Sequence, residues 1–143
     1  MPTVADLTKS DIEKVGRELS SAFQGVLSWK WDKRFETFLA EFPVDDKDKI
    51  REILERHLSH IFNSSTVGNA PMLVRKIDDR FGSLWPGQLL FTSDPNRDAL
   101  LFCTWWPWGD GKSISIRIGS EYKDLGDSEH VEKIQFFKGW FGV

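Results

Sequence analysis

The first third of the chain repeats apolar residues at helical spacing. One series recurs every three or four positions and would line one helix face. It comprises Ile12, Val15, Leu19, Ala22, Val26 and Trp29. A second series lies in a different phase and comprises Trp31, Phe35, Phe38 and Phe42. The change of phase predicts a break between Gly25 and Asp32, and therefore two helices rather than one.

The clearest amphipathic pattern follows Pro43. Three acidic residues, Asp45, Asp46 and Asp48, place negative charge where the positive end of a helix dipole would lie. The apolar positions behind them are Ile50, Ile53, Leu54, Leu58 and Ile61. A glycine- and proline-containing loop then ends the region. The N-terminal half is therefore predicted to contain two or three helices.

After Pro71 the apolar pattern changes to the period of two that is typical of strands. Four strand candidates lie at 72–77, 88–92, 99–106 and 113–118. In the last of them, three isoleucines alternate with Ser113, Ser115 and Arg117, which would face solvent. Short turns rich in Gly, Asp and Pro leave no room for crossover helices, so we expect an antiparallel meander.

The C-terminal segment returns to helical spacing. Asp127 or Ser128 would cap a helix over 131–141, and a fifth strand over 131–137 is the alternative. The whole chain is thus predicted to form a single α+β domain over residues 1–143. Two or three N-terminal helices would precede a four-stranded, or alternatively five-stranded, antiparallel meander sheet and a C-terminal helix.

Composition and charge limit the classes of partner and the cellular compartments that fit this chain. The chain has 19 Lys and Arg against 22 Asp and Glu, a formal charge of -3, so it lacks the basic excess that nucleic acid binding requires. Its one cysteine, Cys103, can form no intrachain disulfide. The N-terminus has no signal-peptide pattern, and no apolar run is long enough to cross a membrane. We expect a cytoplasmic protein with no transmembrane segment and no nucleic acid partner.

Motifs for cofactor or metal chemistry are incomplete. Gly111 and Lys112 resemble the end of a phosphate-binding loop, but Trp106 occupies the position of its first glycine. His57 and His60 could supply only two metal ligands. No nucleophile lies in a recognisable catalytic motif. We therefore expect no cofactor, no metal and no catalytic residues.

The aromatic content stands above background, with seven Trp and eleven Phe but a single Tyr. Residues 105–111 read Trp-Trp-Pro-Trp-Gly-Asp-Gly, and we call 107–112 the aromatic turn. Adjacent tryptophans on a strand point to opposite faces. The predicted contact residues are Trp85, Trp106, Trp108 and Asp110, extended by Ser113, Ser115 and Arg117. The competing interpretation is that these rings close the end of the core.

These patterns lead to three functional hypotheses. The first is a non-catalytic protein that binds another protein, as an adaptor, inhibitor, immunity factor or chaperone does, through the aromatic hairpin. The alternative is a small-ligand-binding module whose pocket is lined by Trp29, Trp31 and Phe rings. An enzyme of unknown class is the third hypothesis, and self-association as a homodimer is compatible with the first.

Overall fold

The chain is described by a computed structural model, which covers the backbone of residues 4–97 and 99–122 and the side chains of 12–97 and 99–121. The helices are α1 (Val4–Phe23), α2 (Lys47–His57) and α3 (Met72–Arg80). The strands are β1 (Lys30–Asp32), β2 (Thr37–Pro43), β3 (His60–Phe62), β4 (Leu89–Thr92), β5 (Ala99–Pro107) and β6 (Ser113–Tyr122). The predicted C-terminal helix lies outside the described residues.

The strands form one six-stranded antiparallel sheet in the order β1-β2-β6-β5-β4-β3. The broad α+β class is correct, but the predicted four- or five-stranded meander is wrong. Strands β3 to β6 pair in chain order, with α3 between β3 and β4, whereas β2 pairs with β6 and not with β3. The N-terminal hairpin β1–β2 joins the free side of β6, and β3 joins the free side of β4, so strands interleave with the helices.

The predicted second helix is instead the β1–β2 hairpin. Trp31 lies opposite Phe38 in this hairpin, so the two rings of that series meet across strands rather than along a helix face. Phe38, Ala40 and Phe42 all point into the core, which is the period of two of a strand. The intervening turn contains Glu36 at φ 52°. The alternation of Phe38, Ala40 and Phe42 was the signal that the helical interpretation missed.

The first predicted strand, 72–77, is also wrong, because these residues open α3. Leu73, Val74 and Ile77 are buried on one side of it, whereas Met72 is exposed. Their spacing fits a helix face as well as it fits a short apolar strand, and six residues are too few to separate the two. Pro71, immediately before the helix, is compatible with a helix start.

Helices cover both faces of the sheet, which produces two apolar clusters. On one face, α1 and α2 pack against the side chains of β2, β4, β5 and β6. The largest buried members there include Leu19, Phe23, Ile50, Leu54, Phe91 and Ile116. On the opposite face, α3 packs against Leu90, Leu100 and Phe102. We call this second surface the α3 face.

Candidate functional site

The α3 face changes from apolar to polar toward β6 and β2. Strand alternation places Thr104 and Trp106 of β5, Ser115 and Arg117 of β6, and Glu41 of β2 on this face. In β5, Trp105 points the other way, into the α1–α2 core. The sequence prediction that adjacent tryptophans separate to opposite faces therefore describes this strand correctly.

Arg117 is enclosed by aromatic rings and by one carboxylate. Its guanidinium carbon lies 4.5 Å from the Trp106 ring centroid and 5.5 Å from that of Phe35. Its Nε donates to Asp32 Oδ2 at 2.8 Å. The two side chains are only 16% and 13% exposed. Arg117 therefore does not extend into solvent as the strand pattern predicted, because the β1–β2 hairpin folds over it.

The β1–β2 connection is tied down at Phe35. Its ring packs on Phe81 at 4.6 Å and on Trp106 at 6.2 Å between centroids. Its carbonyl oxygen accepts a hydrogen bond from Arg80 Nη2. Arg80 in turn contacts Glu121 in β6, with Nη1 3.1 Å from the carboxylate. The loop thus closes the α3 face beside Trp106.

Trp106 belongs to this packed cluster and is half-buried. Its centroid lies 5.4 Å from that of Phe81 in an edge-to-face arrangement. Its indole N–H is buried and has no hydrogen-bond partner among the described residues. The Trp106 ring is therefore packed against Phe35, Phe81 and Arg117 and is not free in solvent.

Trp108 is exposed but held in place. Its side chain is 51% exposed, and its indole Nε1 donates to Ser115 Oγ at 2.6 Å. Its backbone N donates to Ser113 O at 2.9 Å, and its carbonyl accepts from Gly111 N at 3.1 Å. Gly111 adopts φ 70°, a conformation that glycine tolerates without strain. The indole is thus bonded to Ser115, which is itself buried.

Asp110 stabilises the aromatic turn. Its Oδ1 accepts a hydrogen bond from Lys112 N at 2.9 Å, an Asx-type turn contact. Lys112 O accepts from Val44 N at 2.8 Å, so the end of β2 is fastened to the same turn. Asp110 and Lys112 are both exposed.

Trp85 occupies a second rigid turn. Gln88 N donates to Trp85 O at 3.0 Å, and Trp85 N donates back to Gln88 Oε1 at 2.8 Å. Pro86 followed by Gly87 at φ 92° is the pattern of a type II turn. The Trp85 side chain is 71% exposed. Because Leu89 begins β4 opposite Trp105, this turn and the aromatic turn lie at the same end of the sheet.

The structure thus brings Trp106, Trp108, Ser115 and Arg117 together on one face. Asp110 and Ser113 lie in and beside the turn, and Trp85 lies in the neighbouring turn. Three further residues of this surface, Asp32, Phe35 and Glu41, were missed by sequence reasoning. They lie on this surface because β2 pairs with β6. Within residues 30–43 the sequence indicated a strand only weakly, through the alternation of Phe and Ala.

The tryptophans of the small-ligand hypothesis are used in packing. Trp29 meets Phe23 with centroids 5.6 Å apart, and Trp31 meets Phe38 at 5.2 Å. The cavity beside Trp31 has a volume of about 20 Å³, room for a single water molecule. A larger, open cleft of about 330 Å³ lies elsewhere, between α1 and the β4–β5 connection, and its lining includes Glu18 and Arg97.

Other reactive groups do not assemble into a centre in the part of the chain that is described. No group of three or more His, Cys, Asp or Glu side chains there could hold a metal ion. Cys103 is fully buried in β5, and burial raises the pKa of its thiol well above the ordinary value. A thiolate nucleophile at this position is therefore disfavoured.

Among the described residues, no helix is long and apolar enough to cross a membrane. The chain matches no model of a known protein family, no curated protein and no solved structure.

Proposed function

We propose that this chain is a non-catalytic protein that binds another protein, with Trp108 on the aromatic turn as the anchor of the contact. The observation that carries the proposal is the combination of exposure and fixed orientation at Trp108. Exposed tryptophans dominate the binding energy of many protein interfaces. A side chain already held in one rotamer loses less entropy when it is buried by a partner.

The hydrogen bonds around Trp108 support this role. Its ring is fixed at both ends, by the bond from Nε1 to Ser115 Oγ and by the backbone bonds of the turn. Trp106 and Arg117 form a packed floor next to Ser115. Trp85 lies on the neighbouring turn at the same end of the sheet and would enlarge the apolar area available to a partner.

Internal pairing argues against catalysis by this surface. The guanidinium of Arg117 is engaged by Asp32, and the hydroxyl of Ser115 by Trp108. Groups that act as general acids, bases or nucleophiles must reach a substrate within hydrogen-bond distance. A ligand pocket lined by Trp29 and Trp31 is less well supported, because the cavity beside Trp31 is far below the ~300 Å³ of a typical ligand pocket and the cleft of about 330 Å³ is not lined by these rings.

The compartment we propose is the cytoplasm. The partner we propose is a protein and not a nucleic acid, in keeping with the acidic charge of the chain. A second copy of the chain is the competing occupant. A light-scattering mass measured over a wide concentration range separates the two. A monomer throughout favours a different protein as the partner.

The test compares Trp108→Ala with Ile61→Ala as a matched control. Ile61 is another exposed apolar residue, on edge strand β3. It lies three strand spacings, about 14 Å, from β6 and on the opposite face. Both variants and the wild type are used as bait in extracts of the source cells, and the protein retained is purified for affinity measurements. We expect Trp108→Ala to weaken its affinity by about ten-fold or more, and Ile61→Ala to leave it unchanged.

Equal affinity of the wild type and a folded Trp108→Ala variant would contradict the proposal. Trp108→Phe adds a second control, because it keeps an aromatic ring but loses the bond to Ser115. An intermediate affinity is expected for it. The circular dichroism spectrum and melting temperature of each variant confirm that the domain is intact.

A further inference from the structure

Trp108 is 51% exposed. Its single donor, the indole N–H, is already bonded to Ser115. An indole ring has a negative face, and it attracts a guanidinium or ammonium group placed over it. The ring can therefore contribute either apolar contact or the attraction of a cation, and the surrounding charge decides between them.

The surroundings of the ring are acidic. Segments 41–46 and 107–112 are fastened together by the bond from Val44 N to Lys112 O. Their exposed charged residues are Glu41, Asp45, Asp46 and Asp110, opposed by Lys112. Four acids and one base give these twelve residues a net charge of -3, equal to that of the whole chain. Lys47 and Lys49 follow at the start of α2, with Asp48 between them.

Glu41 is the acid best placed to act with Trp108. It is the partner of Ser115 in the register of β2 and β6, so both side chains lie on the α3 face. Directly opposed residues of antiparallel strands have Cβ atoms about 4.5–5.5 Å apart. Ser115 accepts the hydrogen bond of the Trp108 indole and is also the register partner of the exposed Glu41, so the indole and this acid are both neighbours of one residue.

The same face already contains an arginine held between an indole and a carboxylate. Arg117 stacks on Trp106 at 4.5 Å and bonds to Asp32 at 2.8 Å. Trp108 and Glu41 repeat the indole and the carboxylate one step nearer the end of the sheet. Among the described residues, no cation is paired with Glu41 or stacked on Trp108.

We propose that the partner supplies this missing cation: a basic segment seats an arginine side chain on Trp108, with its guanidinium bonded to Glu41. The inference rests on the proposed function, since it names the chemistry of the partner at the same surface. Arginine fits better than lysine because its planar group stacks on a ring and bonds to a carboxylate at the same time.

The experiment uses a defined probe, a short glycine peptide containing three arginines, and the same peptide with neutral citrulline in their place. Each is titrated into ¹⁵N-labelled full-length protein at about 50 and about 300 mM salt. The indole resonance of Trp108 is identified by its loss in Trp108→Phe. We expect the arginine peptide to shift this resonance and the backbone amides of 109–112 in a saturable manner, more weakly at high salt.

Two charge variants make the test specific. Glu41→Gln is expected to weaken binding of the arginine peptide by about five-fold or more, since it removes the carboxylate that would bond to the guanidinium. Glu52→Gln on α2 is the matched control, because Glu52 is exposed and lies on the helix that covers the other face. It should leave the affinity unchanged.

The inference is overturned if the citrulline peptide binds equally well, if Glu41→Gln binds like the wild type, or if the arginine peptide leaves the Trp108 resonance unmoved. These results are separable from a failure of the proposed function. If Trp108→Ala loses the natural partner but Glu41→Gln has no effect, the protein-binding function stands and the proposal of a basic partner is wrong.

Discussion

The ion pair between Asp32 and Arg117 offers a direct test of how the α3 face is held together. It joins edge strand β1 to β6 across β2, with Nε 2.8 Å from Oδ2. The exposed pair Arg56–Glu52 on α2 has almost the same length, 2.9 Å, but its side chains are 65% and 71% exposed. Asp32→Asn and Glu52→Gln therefore compare two pairs of equal length that differ in burial.

The expected magnitudes follow from that difference. Breaking a fully buried pair costs about 3–5 kcal/mol, because one charge is left without a partner in a low dielectric. Exposed pairs contribute about 0.2–1 kcal/mol. With 16% and 13% of the two side chains still exposed, we expect Asp32→Asn to lower the free energy of unfolding by about 2–3 kcal/mol. Glu52→Gln should change it by less than about 0.5 kcal/mol.

Urea denaturation at pH 7 measures these differences for the single variants Asp32→Asn and Arg117→Gln and for the double variant. Arg117→Gln should be the more damaging, since it also removes the stack on Trp106 and Phe35. The coupling energy of the cycle is expected at about 1–2 kcal/mol. A coupling energy below about 0.5 kcal/mol, or an Asp32→Asn variant as stable as Glu52→Gln, would refute the reasoning.

Two further predictions concern the core. A Cβ at Gly119 would lie 2.8 Å from Phe102 Cζ and 2.9 Å from Thr37 Cγ2, both fully buried, so Gly119→Ala should lower the free energy of unfolding by about 1–3 kcal/mol in urea. Gly68→Ala, with open space around its Cβ, is the control and should be near neutral. Burial keeps Cys103 protonated in the fold, whereas an unfolded cysteine ionises above about pH 8.5. The free energy of unfolding should therefore fall by up to about 1.4 kcal/mol per pH unit above that point. Cys103→Ala should remove this contribution to the pH dependence. An unchanged pH dependence in the variant would show that the Cys103 thiol is not its source.

Much of the fold could be read from the sequence where one period was sustained. The stripe from Ile50 to Ile61 predicted α2, although the helix ends at His57 and Ile61 lies in β3. The alternation of Ile114, Ile116 and Ile118 predicted β6. Residues 31–42 failed because Trp31, Phe35, Phe38 and Phe42 match helical spacing by coincidence of strand and turn lengths. Local pattern does not reveal which strands pair, and here the deciding contact joins β2 to β6, whose paired residues include Pro43 with Ser113 and Phe38 with Ile118.

For the candidate site too, residues on strands that are consecutive in sequence could be predicted, and residues brought in by long-range pairing could not. Trp106, Ser115 and Arg117 could be placed on one face because adjacent strands β5 and β6 follow each other directly in sequence. Asp32, Phe35 and Glu41 could not, because they reach that face only when the β1–β2 hairpin adds to the sheet. Long-range pairing carries no local signal, so the acidic partner of Arg117 was invisible to sequence reasoning.

The arrangement of the tryptophans explains why a single ring of 105–108 is left exposed. Trp105 and Trp106 alternate on β5, so the core takes one and the aromatic cluster with Phe81 takes the other. Pro107 is the last residue of the strand, and the chain turns immediately after it. The Trp108 indole donates a hydrogen bond to Ser115, and Trp108 is left 51% exposed. A ring needed only for stability could have been smaller or buried. One that is bonded to Ser113 and Ser115 of β6 and left half-exposed suits the partner contact that we propose.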